Sequence, residues 1–201
     1  MKDTRKQFGF TIVELLIVII VIAILAAITI VAYNGIQQRA ENSARYTAAE
    51  TYEKALQGYL ITNGQYPPMS GGSACLGRGY TSNTCGSPAY PTYDDSGFDS
   101  ALSKFLGTAP LADNSIITKQ DGSTYLGITL TNWSGFMVNG VSNPYFIEYV
   151  LYGANQDCKV SGLVQIKTSW GDMAPATTQK NTFYDSTSTS CVIALPNPGT
   201  T

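Results

Sequence analysis

Glu14 stands near the head of an apolar run. Phe10-Thr11-Ile12-Val13 precede it, and Leu15 to Ala32 follow with Thr29 as their only polar member. A carboxylate costs about 2.5–3.5 kcal/mol at the centre of a membrane helix and less near an interface, so this one is a charge in need of a partner. Cys75, Cys85, Cys158 and Cys191 offer thiol, metal or disulfide chemistry. Asp94, Asp95 and Asp99 carry oxygen ligands of the kind calcium takes. Their spacing departs from the EF-hand loop and no distal bidentate glutamate follows, which favours a solvated acidic turn. Histidine is absent from the chain. That excludes Ser-His-Asp and Cys-His catalytic sets and every histidine metal site. No nucleophile–base set or phosphate loop takes their place, so neither an enzyme nor a cofactor is expected.

The elements around Glu14 explain more than the residue alone. Met1 to Gly9 carries three cations and one acid. The apolar stretch that follows would form ~27 Å of helix, close to the hydrocarbon thickness of a bilayer. Cations before the span and none within it predict a cytoplasmic amino terminus with the remainder outside. The run exceeds the about 7–15 residues of a secretory signal core, and no small-x-small cleavage site follows it. A retained helix is therefore expected.

Gly9-Phe10-Thr11-Ile12-Val13-Glu14-Leu15-Leu16-Ile17-Val18 resembles the prepilin signature of the type IV pilin superfamily: a short basic leader ending in Gly, then Phe, with Glu five positions after the Gly. The resemblance covers about residues 6–38 and is architectural beyond them. It implies a prepilin peptidase that cuts after Gly9, N-methylation of the new Phe10 amine, and a helix that anchors the subunit in the membrane before packing at the centre of a filament. The Phe10 amine would lie one helical turn before Glu14 and could neutralise the Glu14 of an adjacent subunit. Breaking such a buried pair costs about 3–5 kcal/mol. Ala23, Ala26 and Ala27 would let neighbouring helices approach closely. Many family members have a Gly and a Pro inside this segment where this chain has Ala23 and Val31. Without the proline a straighter, continuous helix is expected.

From Gly35 the pattern becomes amphipathic. Ile36, Ala40, Ala44, Thr47, Ala48, Thr51, Ala55, Leu56, Tyr59 and Leu60 recur at three- and four-residue steps, with Arg45, Glu50, Glu53 and Lys54 among the residues on the other faces. Gly35 is the expected weak point, and Asn63-Gly64 then Pro67-Pro68 the stop. Residues 69–97 read as loop by their glycine, proline and serine content. A short helix over Phe98 to Leu106 follows. Strands are expected at 116–118, at 124–131 after an Asp121-Gly122 hairpin, at 135–138, 145–152, 162–168 and 190–195. The predicted fold is α+β and pilin-like: a long amino-terminal helix, membrane-spanning and then amphipathic, packed on an antiparallel sheet. Its expected parts are a leader at 1–9, an assembly helix at 10–35 and a globular domain at 36–201. That domain would comprise a helix stripe to 62, a loop region at 63–115, and a sheet with a disulfide region beyond.

Cysteines beside an export segment favour disulfides, because a four-cysteine zinc site expects C-x(2–4)-C spacing that is absent here. Three pairings are possible. The resemblance favours a bridge between Cys158 and Cys191, since pilins often have a carboxy-terminal region delimited by a disulfide. Asn132-Trp133-Ser134 fits a glycosylation sequon, a short match of low specificity. Ser186 to Ser190 reads as a polar loop that could carry O-linked sugar. Tyr80, Tyr90 and Tyr93 suit contact surfaces as well as cores.

With 201 residues and a net charge of -2, the chain offers no basic surface for nucleic acid, and losing the leader makes it more acidic. The resemblance implies a structural subunit of a type IV pilus used in adhesion, twitching motility or uptake. Its partners would be further copies of itself, the prepilin peptidase, the membrane assembly platform and the cytoplasmic membrane. The alternative is a pseudopilin of a type II secretion or competence system. A membrane-anchored enzyme or binding module and a plainly secreted protein are the other classes, separable by the mature amino terminus.

Overall fold

A computed structural model describes residues 10–111, 114–177 and 185–198. The chain divides into two compact units, one ending at Ala40 and the other starting at Glu41. Helix α1 (Ile12–Asn63) has 52 residues, and its helical conformation continues through Gly35. In the first unit the apolar side chains from Ile12 to Ile30 are exposed.

In the second unit α1 buries Ala49, Tyr52, Leu56 and Leu60 against the inner face of a sheet. This stripe is rotated from the expected one: Ala44 and Thr47 are exposed, whereas Asn42, Arg45 and Glu53 are buried. Hydrophobicity alone sends charges outward. Here the charged groups find polar partners inside. The Arg45 guanidinium, 2% exposed, donates to the carbonyl oxygens of Val150 at 2.7 Å and Ser115 at 2.8 Å. Ser161 and Gln57 donate to one Glu53 oxygen at 2.9 and 3.1 Å.

Among the described residues twelve strands follow in two sheets. They are β1 (Ser73–Cys75), β2 (Thr84–Ser87), β3 (Tyr90–Tyr93), β4 (Ile116–Thr118), β5 (Thr124–Leu126), β6 (Ile128–Asn132), β7 (Met137–Val138), β8 (Val141–Ser142), β9 (Tyr145–Tyr152), β10 (Leu163–Ile166), β11 (Asp172–Pro175) and β12 (Ser188–Ala194). The larger sheet has the order β1-β6-β9-β12-β10-β11-β7-β8, antiparallel except where β11 meets β7; the smaller is β3-β2-β5-β4. Alternation along β9 sends Ile147, Tyr149 and Leu151 toward the helix and Phe146, Glu148 and Val150 to the opposite face. Ile117 and Tyr125 of the smaller sheet cover Val150 there, while Phe136, Val164, Met173 and Val192 pack with Phe146.

Three further expectations change. The stretch 69–97 is not simply loop, since it forms β1, β2 and β3 and opens helix α2 (Ser96–Leu106). These strands are three or four residues long and too short to show alternation; Pro91 is tolerated because β3 is an edge strand. The single strand expected over 124–131 is two strands in different sheets. Gly127, at φ +68°, makes the break, and a Cβ there would lie 2.3 Å from the Tyr80 hydroxyl oxygen. The Ser186 to Ser190 loop is corrected as well: Ser188, Thr189 and Ser190 are buried in β12.

Candidate functional site: the amino-terminal helix

Thr11 and Glu14 form a reciprocal cap at the start of α1. The Thr11 amide and hydroxyl both donate to Glu14 Oε2, at 2.9 and 2.8 Å, and the Glu14 amide donates to Thr11 Oγ1 at 3.2 Å. A Thr-x-x-Glu sequence at a helix start is a capping box, which satisfies otherwise orphaned backbone donors. Thr11-Ile12-Val13-Glu14 thus carries a capping signal as well as a charge in need of a partner. Glu14 is exposed, as is Phe10. Gly9 lies outside the described residues. The helix that follows is long and apolar enough to cross a membrane, and its apolar stretch is exposed.

The second unit carries the remaining candidates. Disulfides join Cys75 to Cys85 and Cys158 to Cys191. The first ties β1 to β2, and the second pins the segment after β9 to β12. Asp95 caps α2: one carboxylate oxygen accepts from the Gly97 and Phe98 amides at 3.0 and 3.1 Å, the other from the Ser70 amide at 2.9 Å. Those backbone bonds hold its pKa below the ordinary value. Asp99 moves the other way, to about 6, through burial and the neighbouring charge and hydrogen bond of Asp94. Among the described residues no group of three or more Cys, Asp or Glu could hold a metal ion. Tyr80 belongs to the core, donating to Leu76 O at 3.0 Å and accepting from the Ile128 amide at 3.1 Å; Tyr90 and Tyr93 are exposed. Asn132 pairs with Tyr145 at the end of the β6–β9 ladder.

Comparison with known proteins finds likenesses over part of the chain, one of them at the apolar helix. Residues 4–30 match the family described as the prokaryotic N-terminal methylation motif. The chain is 33% identical over 76 residues to the type II secretion system core protein G of Vibrio cholerae, covering 38% of this chain and 52% of that protein. It is 39% identical over 61 residues to a fimbrial protein of Neisseria meningitidis, covering 30% of this chain and 36% of that protein. A type IV major pilin protein of Neisseria gonorrhoeae is likewise 39% identical over 61 residues, 30% of this chain and 37% of the relative. The chain thus spans about half the length of the secretion protein and less of the fimbrial ones. No solved structure matches the chain significantly. The likeness is to a secretion-system core protein and to fimbrial and pilin proteins. With its long apolar helix and antiparallel sheet, this is an α+β, pilin-like chain whose amino terminus matches the prokaryotic N-terminal methylation motif.

Proposed function

We propose that the chain is a structural subunit of a type IV pilus. A prepilin peptidase removes residues 1–9 after Gly9, the new Phe10 amine is methylated, and residues 10–35 anchor the subunit in the cytoplasmic membrane with its amino terminus inside. An assembly platform then extracts it into a homopolymeric filament outside the cell. The observation that carries this reading is the exposed apolar face of α1 all the way round from Ile12 to Ile30, behind a single carboxylate. A helix apolar on every side needs lipid or other helices around it. In the filament the Phe10 amine of one subunit pairs with Glu14 of another, which exchanges the Thr11 cap for an ion pair. Residues 36–201 form the globular part. Two disulfides suit a surface that must persist outside the cell.

A second reading is a pseudopilin of a type II secretion or competence system. The longer stretch of likeness, 76 residues against 61, is to the secretion protein. Mass spectrometry of the mature amino terminus tests both against ordinary secretion: N-methyl-Phe at residue 10 supports them, and a start beyond Ala32 removes them. Electron microscopy of sheared surface filaments with peptide identification then decides between pilus and pseudopilus.

A further inference from the structure

The face of the larger sheet turned away from α1 is only partly covered. Between the smaller sheet and the β10–β11 turn it leaves an open groove of about 740 Å³. That falls within the about 300–1,000 Å³ usual for small-ligand sites. The β6–β9 register sets Thr129 beside Glu148 and Thr131 beside Phe146 on its floor. Trp133, Trp170 and Tyr90 stand around it, the two indoles 40% exposed and the phenol 84%. They are the only two tryptophans in the chain.

The aromatic wall is built rather than incidental. A Cβ on Gly135 would lie 2.6 Å from the Trp133 ring, and one on Gly171 2.9 Å from it, so both glycines make room for the indole against the backbone. Trp170 meets Phe146 edge-on at 6.3 Å, and Phe146 stacks on Phe136 at 4.3 Å. Both indoles are therefore oriented before any ligand arrives.

The floor is polar. Among the described residues nothing hydrogen-bonds or ion-pairs with the Glu148 carboxylate. Lys119 also lines the groove, its ammonium 5.5 Å from the Tyr125 ring centre. Tyr125 and Thr129 share a hydrogen bond of 2.8 Å at the back. A quaternary ammonium ligand would meet Lys119 as a like charge, an apolar peptide would bury Glu148 without a partner, and a nucleic acid would meet that carboxylate as a repulsion. A ring with apolar C–H faces and hydroxyls around its edge meets none of these objections. Its faces stack on indole and phenol, and its hydroxyls donate to Glu148 and accept from Lys119.

We propose that this groove binds an oligosaccharide, stacked on Trp133, Trp170 and Tyr90 and hydrogen-bonded to Glu148. The site lies wholly in the second unit and does not depend on the filament reading.

Because both tryptophans line the groove, intrinsic tryptophan emission reports on it alone. The full chain in detergent is titrated with maltotriose, cellotriose, chitotriose and 3′-sialyllactose. At least one should give a saturable change with a Kd below about 1 mM. Glu148→Gln and Thr131→Arg should each weaken it tenfold or more, with far-UV circular dichroism unchanged, while Tyr93→Ala binds as the parent does. The absence of a saturable change with any of the four up to about 10 mM overturns the proposal. So does binding that both groove variants retain, or a signal that choline displaces.

Discussion

Asn42 and Tyr152 close a two-bond ring: the Asn42 side chain donates to the Tyr152 carbonyl at 3.0 Å and accepts from its amide at 2.8 Å. The amide side chain thereby takes the place of a further strand at the end of β9. One turn along α1, Arg45 binds the Val150 carbonyl two residues earlier in the same strand.

Arg45→Ala should destabilise the second unit by about 2–4 kcal/mol, because two carbonyls lose their donors and a buried volume empties. Arg45→Lys should recover little of this, since one ammonium lacks the planar fork that reaches two carbonyls at once. Asn42→Ala should cost about 1–3 kcal/mol. Denaturant unfolding followed by circular dichroism measures all three.

Glu53 is 2% exposed, and its second oxygen is buried without a hydrogen-bond partner. Burial raises its pKa, partly offset by the Ser161 hydroxyl. The folded protein therefore holds this proton more tightly than the unfolded chain. Its stabilising contribution is complete below the ordinary carboxylate range and is lost as pH rises through the raised value. Glu53→Gln should stabilise the protein by about 0.5–1.5 kcal/mol at pH 7 and have little effect near pH 4, as thermal unfolding at the two pH values would register.

Asp99 carries the same sign over a defined window. Its pKa rises from 3.8 to about 6, so the stability linked to it is complete below the lower value and lost across that interval as pH rises. Asp99→Asn should flatten the dependence of Tm on pH between those limits. Asp94→Asn should shift the Asp99 titration downward, which carboxyl-resolved NMR would follow.

The two disulfides differ in the loops they close, with sequence separations of 10 and 33. Replacing both Cys158 and Cys191 by Ser should cost about 3–4 kcal/mol on chain-entropy grounds. The Cys75 and Cys85 pair should cost less, about 2.5–3 kcal/mol. Unfolding of the two double variants in non-reducing buffer gives the comparison.

At the amino terminus, Glu14→Ala should leave membrane insertion intact and abolish filaments under the proposed function. Thr11→Val removes the cap hydroxyl but no charge. It should speed amide exchange over the first turn of α1, in keeping with a cap worth about 0.5–2 kcal/mol, and leave assembly in place. Normal filaments from the Glu14 variant would refute the ion-pair reading.

Much of this chain was legible because its strongest signals are long or local. The apolar run needs no context, and β9 is a long stretch rich in aromatic and aliphatic residues. Asn63-Gly64 and Asp121-Gly122 mark the end of α1 and the turn between β4 and β5. What escaped depends on distant partners. Arg45 and Glu53 read as surface charges until Val150, Ser115 and Ser161 come alongside. The short strands of 73–93 acquire meaning only by pairing across the chain, Ser73 with Thr131 and Gly86 with Leu126. The groove escaped for the same reason, since Trp133, Glu148 and Trp170 meet only once the sheet is built.

The Asn42 and Arg45 attachments also have a mechanical meaning. Strand β9 lies inside the larger sheet, laddered to β6 on one side and to β12 on the other. Val150 and Tyr152 pair with Ser190 and Ser188 of β12, beyond the last β6 pair at Tyr149, so a load on these two attachments passes first into β12. A load on the second-unit part of the helix is thus carried into the seven-pair β9–β12 ladder for as long as the Asn42 and Arg45 bonds hold.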